Sequence, residues 1–267
     1  MGLRPSLRER LKAGESIFGT FVFLPSPGVV EIMGAAGLDY IIVDLEHSPK
    51  SWETVENMVR AAEVAGLAVL IRVRENHEKE ILQALELGVE GVVVPFVRTA
   101  EDARQAASAV CYPPEGSRGT CTLTRAAGWG GLRGDAFIQH AARMNERMLV
   151  VAQVEDKTGI ENIDAIIGAV PGPHVIMIGR GDLATALGRP GKAEDPLVVA
   201  ATDRALAAVR ASGGTCAGGI GVYSPGEVAR WRDQGCRFFF YSADTHMLLT
   251  AARGIASEFK TVLGRKA

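Results

Sequence analysis

The chain has 267 residues, of which 47% are hydrophobic and 22% are charged, a balance that suits one globular core. A (β/α)8 barrel needs about 250 residues, so a single domain over residues 1–267 is expected. The formal net charge is −2, and the sequence has no basic run and no apolar stretch of about 18 residues, so we expect neither a nucleic-acid nor a membrane partner. The N-terminus lacks a signal-peptide core and the four cysteines form no C-x-x-C pair, which favours a reduced, cytoplasmic protein without a zinc site.

Short apolar runs alternate with amphipathic segments along the chain. After an N-terminal helix that carries Leu7 and Leu11, the predicted strands cover residues 17–23, 40–43, 67–73, 91–94, 149–154, 175–178, 216–222 and 238–241. The predicted helices that follow them cover residues 27–36, 52–65, 78–87, 100–110, 159–167, 196–211, 225–234 and 245–262. Strand–helix alternation is typical of a parallel sheet, and eight such units predict closure. The predicted fold class is therefore α/β, a single (β/α)8 TIM barrel.

The connections carry two further signals. Gly66, Gly88, Gly168 and Gly235 each stand where a predicted helix gives way to the next strand, which favours a left-handed helix cap. The connection between residues 110 and 149 is unusually long, and it contains a predicted helix over residues 135–147. An ordered insertion of this length is usually a lid or an assembly element.

Polar side chains follow four of the predicted strands. Asp44, Glu46 and His47 come after strand two, and Arg72 follows the apolar run 67–71 of strand three. Glu155 and Asp182 come after strands five and six. The carboxyl ends of the strands of a parallel barrel converge on one mouth, so these side chains are expected around one cavity.

Glu155 and Asp182 are the candidate metal ligands. Two carboxylates at neighbouring strand ends, with no cysteine and no second histidine beside them, suit an oxygen-preferring divalent cation such as Mg²⁺. The alternative is structural: Asp182 would cap a helix that opens at Leu183, and Glu155 would pair with Lys157.

His47 is the candidate general base, because imidazole exchanges a proton near neutral pH. Asp44, three residues earlier, could orient it; the alternative is an ordinary hydrogen-bonded histidine beside Pro49. Arg72 cannot lose its proton and needs an anion, which a substrate carboxylate or a developing enolate would supply. The alternative for Arg72 is a structural bridge to Asp44 or Glu46.

Several short segments carry a family resemblance. They are DLEH at 44–47, IRV at 71–73, YPPEGSRG at 112–119, QVEDKT at 153–158 and IGRGDLATALG at 178–188. With these segments the chain resembles the HpcH/HpaI aldolases, metal-dependent (class II) pyruvate aldolases that include 4-hydroxy-2-oxoheptanedioate aldolase and 2-dehydro-3-deoxyglucarate aldolase. The resemblance covers the chain from about residue 18 to residue 251.

The resemblance implies a role for each matching residue. Glu155 and Asp182 correspond to the ligands of a divalent metal ion (Mg²⁺, Mn²⁺ or Co²⁺). Arg72 corresponds to the group that binds pyruvate and stabilises its enolate. Gln153 corresponds to a position that contacts the 2-oxo acid, and the Gly181 backbone to one that faces its carboxylate.

His47 resembles the family's base, which acts through a metal-bound water. Glu86 stands where relatives carry an aspartate that raises the basicity of this histidine, and its extra methylene departs from that pattern. Arg180 and Gly181 precede Asp182 where relatives usually have proline and a small residue. The resemblance also implies a homo-oligomer, a hexamer built as a trimer of dimers that exchange C-terminal helices.

The function implied is reversible retro-aldol cleavage of a 4-hydroxy-2-oxo acid, of the 4-hydroxy-2-oxoheptanedioate or 2-keto-3-deoxy sugar acid type, to pyruvate and an aldehyde through a metal-bound enolate. Its partners would be small molecules, the 2-oxo acid and the aldehyde. One alternative is a lyase for a CoA thioester of the citryl- or malyl-CoA type, which needs a basic groove. Another is a catalytically silent barrel used as a binding protein.

Overall fold

Eight parallel strands pair in sequence order and close into a barrel, with β8 returning to β1. The structure is a computed structural model that describes residues 4–169 and 174–264. The strands are β1 (Ile17–Val22), β2 (Tyr40–Asp44), β3 (Ala68–Arg72), β4 (Gly91–Val94), β5 (Leu149–Val154), β6 (His174–Ile178), β7 (Cys216–Val222) and β8 (Cys236–Ala243). The predicted fold class is confirmed.

A helix follows each strand, in places more than one. The described helices are α1 (Leu7–Lys12), α2 (Pro27–Ala35), α3 (Trp52–Val64), α4 (Glu78–Glu86), α5 (Ala100–Val110), α6 (Asp135–Arg147), α7 (Lys157–Glu161), α8 (Ile163–Ala169), α9 (Arg180–Ala186), α10 (Pro196–Ala211), α11 (Pro225–Asp233) and α12 (Asp244–Val262). Among residues 4–169 and 174–264, no helix is both long enough and apolar enough to cross a membrane.

The sequence prediction was wrong at two places after β5. The single helix predicted over residues 159–167 is two short helices, α7 and α8, because the chain breaks at Asn162. Gly168 lies inside α8 and has no positive φ, so it is not a left-handed cap. Gly66, Gly88 and Gly235 do have positive φ angles of 73°, 81° and 96°, as predicted for caps.

The core has two layers, because both faces of the barrel strands are buried. Aliphatic side chains fill the space between the strands and the surrounding helices. A second cluster fills the barrel interior, where Tyr40 stacks on Phe238 with ring centroids 4.5 Å apart. Leu7 and Leu11 of α1 join this inner cluster and close the amino end of the barrel. The opposite, carboxyl end is therefore the open one.

The long connection between α5 and β5 is held by α6. Asn145 accepts a hydrogen bond from the main-chain N–H of Tyr112 (2.7 Å) and donates to the carbonyl of Tyr112 and to Glu115 (each 2.9 Å). Because Asn145 is buried and uses both ends of its amide, the segment that begins at Tyr112 has a fixed shape.

Candidate active site

A cavity of about 320 Å³ opens at the carboxyl ends of the strands. Five residues singled out from the sequence line it: Arg72, Gln153, Glu155, Gly181 and Asp182. They come from β3, β5, the residue after β5, and the first turn of α9. Parallel strands thus bring together residues that are more than one hundred positions apart in the chain.

Glu155 is the best anchored carboxylate of this cavity. It is 2% exposed. Its Oε1 accepts the main-chain N–H of Phe96 at 3.0 Å, and its Oε2 accepts a hydrogen bond from the Gln153 amide. Gly179 leaves room for it, because a Cβ on Gly179 would lie 2.6 Å from Glu155 Oε2. The alternative pairing of Glu155 with Lys157 is not found, since Lys157 faces Glu161 (3.7 Å).

Burial raises the pKa of Glu155 to about 7, and the negative charges of Asp182 and Glu46 add to this effect, against the two hydrogen bonds that favour the ionised form. Burial also raises the pKa of Glu46, and the charges of Asp44 and Asp182 raise it further while Arg72 opposes them. The ionised forms of these carboxyl groups therefore repel one another, and a positive charge among them would reduce that repulsion.

Arg72 is held by two acids, Asp44 at the end of β2 and Glu46 in the loop that follows. Its Nε donates to Asp44 Oδ1 at 2.7 Å, and its Nη1 lies 3.1 Å from Glu46 Oε2. The guanidinium also lies over the ring of Phe21, 4.7 Å from the centroid. The structural bridge that was the alternative for Arg72 is thus present, and the same side chain lines the cavity.

Asp44 shapes the loop that carries His47 without contacting the imidazole. Its carboxylate accepts the main-chain N–H groups of Glu46 (3.2 Å) and His47 (3.1 Å), and its carbonyl accepts hydrogen bonds from Ser48 (2.6 Å) and Lys50 (2.9 Å). The His47 side chain is 54% exposed, with Nε2 3.7 Å from Glu46 Oε2, and it is not among the described residues that line the cavity. The acid closest to this imidazole is therefore Glu46.

Asp182 lies in the first turn of α9 and is exposed to the cavity mouth. The helix opens at Arg180 with Gly179 at its N-cap, so Asp182 does not cap a helix that opens at Leu183. A Cβ on Gly181 would meet nothing within 4 Å, which leaves its main chain open to the cavity.

Glu86 lies outside this cavity. It is the last residue of α4, and a helix that follows a barrel strand runs back towards the amino ends of the strands. There it accepts a hydrogen bond from Arg118 at 3.2 Å. The pairing of Glu86 with His47 that the resemblance implied is not found within one chain.

Two residues of the site were missed. Phe96 supplies the main-chain donor to Glu155 from a left-handed backbone conformation (φ 51°), which its side chain does not predict. Lys50 is buried beside Asp44, and burial lowers its pKa. The sequence signal for Lys50 is its position three residues after His47, in the loop that follows β2.

The donor set fits a hard divalent cation. Glu155 and Asp182 are oxygen donors, and the amide oxygen Oε1 of Gln153 is buried and accepts no hydrogen bond. The described residues contain no group of three or more His, Cys, Asp or Glu side chains arranged to hold a metal. A cation here would thus have two carboxylates, and waters or substrate oxygens would complete its shell, as Mg²⁺ commonly requires.

Comparison with known proteins decides the family. The model of the HpcH/HpaI aldolase/citrate lyase family matches residues 18–251. The chain belongs to this family. It is 32% identical over 256 residues to a hydroxypyruvate/pyruvate aldolase of Roseobacter denitrificans, covering 96% of this chain and 97% of that relative.

Two further members of the HpcH/HpaI family extend the comparison. A 4-hydroxy-2-oxo-heptane-1,7-dioate aldolase of Escherichia coli is 32% identical over 255 residues, with 95% of this chain and 94% of the relative covered. The crystal structure of a family protein from Burkholderia cenocepacia J2315 superposes with a TM-score of 0.86 at 30% identity, over 95% of this chain and 98% of that one. The resemblance stated from the sequence and the enzyme class, a carbon–carbon lyase of the aldolase type, are confirmed.

Proposed function

We propose that the protein catalyses reversible retro-aldol cleavage of a 4-hydroxy-2-oxo acid to pyruvate and an aldehyde. The observation that carries this proposal is that Arg72, Gln153, Glu155 and Asp182 line one cavity at the open end of the barrel. The guanidinium of Arg72 supplies a positive charge where the enolate charge would develop. Gln153, Glu155 and Asp182 supply oxygen atoms that could bind a metal ion there.

Arg72 binds the pyruvate half and stabilises its enolate. Asp44 occupies its Nε and Glu46 faces its Nη1, so the guanidinium is oriented before substrate arrives. The contacts of Arg72 with Asp44 and Glu46 use Nε and Nη1, so Nη2 is the nitrogen we assign to a substrate oxygen. A donor that is already oriented requires little reorganisation as charge develops.

Glu155 and Asp182 would hold a divalent cation, Mg²⁺, Mn²⁺ or Co²⁺. Support comes from the raised pKa of Glu155 and from the unpartnered oxygen of Gln153. When bound, such a cation supplies positive charge that polarises the 2-oxo group and lowers the energy of the enolate. Gln153 orients Glu155 and presents its free Oε1 to the same space.

His47 takes the proton of the 4-hydroxyl group through an intervening water. The C3–C4 bond then breaks, its electron pair passes to the enolate of pyruvate, and the aldehyde leaves. Glu46 stabilises the imidazolium that results, since its carboxylate lies 3.7 Å from Nε2. Return of the proton to C3 completes pyruvate.

The test is release of pyruvate from 4-hydroxy-2-oxoheptanedioate and from a 2-keto-3-deoxy sugar acid with Mg²⁺, Mn²⁺ or Co²⁺. His47→Ala and Arg72→Ala should each lower kcat about a hundredfold or more. Arg204→Ala, on the exposed face of α10, is the matched control and should retain full activity. Full activity in excess chelator would contradict the proposal that the reaction depends on a divalent metal ion. Thermal stabilisation by CoA thioesters but not by pyruvate would favour the CoA-lyase alternative.

We also propose that the chain assembles as a homo-oligomer, a hexamer built as a trimer of dimers, through α12. Leu248 and Phe259 on this helix are 62% and 66% exposed. An apolar groove of about 360 Å³, lined among others by Phe18, Val222 and Phe239, lies open on the barrel wall between β7 and β1. Exposed apolar faces of this kind mark interaction sites, and a second copy's α12 supplies the complementary surface.

Light scattering after size-exclusion chromatography tests the assembly. The wild-type chain should elute as a hexamer, and Phe259→Glu should dissociate it. Glu258→Gln, at the neighbouring position, is the control and should leave the mass unchanged. A wild-type monomer would contradict the proposal.

The four cysteines are all free thiols, which supports a reducing compartment such as the cytoplasm.

A further inference from the structure

The cavity has two chemically different halves. Towards β3, β5 and α9 it is lined by the polar side chains described above. Towards β1, β7 and β8 the lining carries four aromatic side chains, Phe21, Phe23, Tyr223 and Phe240, together with Gly221, Ser242 and Ala243. Phe21 packs edge-on against Phe240 (centroids 5.1 Å apart) and lies 6.3 Å from Phe23. We call these four residues the aromatic wall.

The positive charges that line the cavity are already neutralised. Among the described lining residues they are Arg72 and Arg180. Arg72 faces two acids, Asp44 and Glu46.

Arg180 is buried and also faces two acids. Its Nη1 is bonded to Glu194, its Nη2 lies 3.5 Å from Glu227, and Nη2 donates to the carbonyl of Gly221 at 3.1 Å. A second acidic group on a substrate therefore has no uncompensated cation to meet within this chain.

We propose that the aromatic wall favours uncharged, apolar aldehydes over aldehydes that carry a carboxylate. This inference rests on the proposed aldolase reaction, in which the pyruvate half occupies the polar side and the aldehyde half faces the aromatic wall. An apolar group gains by leaving water against aromatic rings. A carboxylate placed there loses much of its hydration and meets no uncompensated cation among the described lining residues, which discriminates against it.

The experiment runs the reaction in the synthetic direction with saturating pyruvate and two aldehydes of the same shape. Succinic semialdehyde carries the carboxylate, and 4-methylpentanal replaces it with an isopropyl group. We expect kcat/KM to be at least about tenfold higher for 4-methylpentanal. Equal values, or a preference for succinic semialdehyde, would overturn the inference.

Exchange of the pyruvate methyl protons with deuterium separates this inference from the function on which it rests. That exchange needs the pyruvate half of the cavity alone. Exchange together with a preference for the acidic aldehyde refutes the aromatic-wall inference and leaves the aldolase proposal standing. Absence of both exchange and aldol product refutes the aldolase proposal, and the inference falls with it.

A paired substitution tests the aromatic wall directly. Phe23 is half-buried at the end of β1, so Phe23→Arg places a cation in the wall and Phe23→Gln places a neutral side chain there. Phe23→Arg should shift the preference about tenfold towards succinic semialdehyde, and Phe23→Gln should not. The same shift in both variants would show that charge does not set the selectivity. If Phe23→Arg does not fold, the two-aldehyde comparison on the wild-type enzyme decides.

Discussion

The raised pKa of Glu155 predicts that the metal-free enzyme loses stability as the pH rises through neutrality. The folded protein holds the proton of Glu155 up to about pH 7, whereas the unfolded chain releases it near its ordinary value of 4.5. Between these values the folded state binds more protons than the unfolded state, so the free energy of unfolding falls with increasing pH. Each pKa unit corresponds to 1.36 kcal/mol, which gives a contribution of about 3 kcal/mol across the window.

Glu155→Gln isolates this contribution, because glutamine has the shape of the protonated acid and does not ionise. Denaturant unfolding of both proteins in chelator, at several values between about pH 5 and pH 8, measures the difference. Near pH 5 the two proteins should be similar in stability. Near pH 8 the variant should be more stable than wild type by about 3 kcal/mol.

Addition of Mg²⁺ or Mn²⁺ should reverse the trend for wild type alone. A cation binds the ionised carboxylate and competes with its proton, so it stabilises more near pH 8 than near pH 5. At a free cation concentration one hundred times Kd the stabilisation is about 2.7 kcal/mol. If wild type and Glu155→Gln kept the same stability difference at every pH in chelator, Glu155 would ionise normally and the reasoning from clustered acids would be refuted.

Two further substitutions test how the site is built. Gly179→Ala would push a methyl group against Glu155, so we expect Mn²⁺ affinity, measured by titration calorimetry, to fall about tenfold or more. Gly168→Ala is its control, since a Cβ there meets nothing within 4 Å, and affinity should not change. Arg72→Met would remove the cation that bonds to the buried carboxyl group of Asp44, and should lower the free energy of unfolding by about 3 kcal/mol. Unchanged denaturant unfolding of Arg72→Met would show that the main-chain donors and Lys50 are sufficient partners for Asp44 and would contradict this expectation.

The barrel and the position of its site could be predicted because both depend on local patterns. Buried parallel strands have apolar residues on both faces, and 40–43 and 149–154 show this pattern plainly. The site follows from topology, since Arg72 ends β3, and Glu155 and Asp182 come after β5 and β6. The break at Asn162 was not predictable, because the apolar spacing continues through it from α7 into α8.

Side-chain partners could not be predicted in the same way. Asp44 was assigned to the imidazole of His47 from spacing, yet it binds the main chain of that loop and Arg72 of the next strand. Such choices depend on which donors the fold leaves unpaired, and sequence distance does not report that. Glu86 shows the opposite case: its place at the end of a predicted helix already located it at the far end of the barrel.

The charges at the open end of the barrel give a reason for a divalent cation that is independent of any relative. Four carboxylates, those of Asp44, Glu46, Glu155 and Asp182, interact there. Arg72 and the buried Lys50 supply two positive charges, so full ionisation of these six groups leaves them with a net charge of minus two. A 2-oxo acid is itself an anion and would be repelled by that charge. One divalent cation neutralises it, and the guanidinium of Arg72 can then face the substrate with its orientation already set by Asp44 and Glu46.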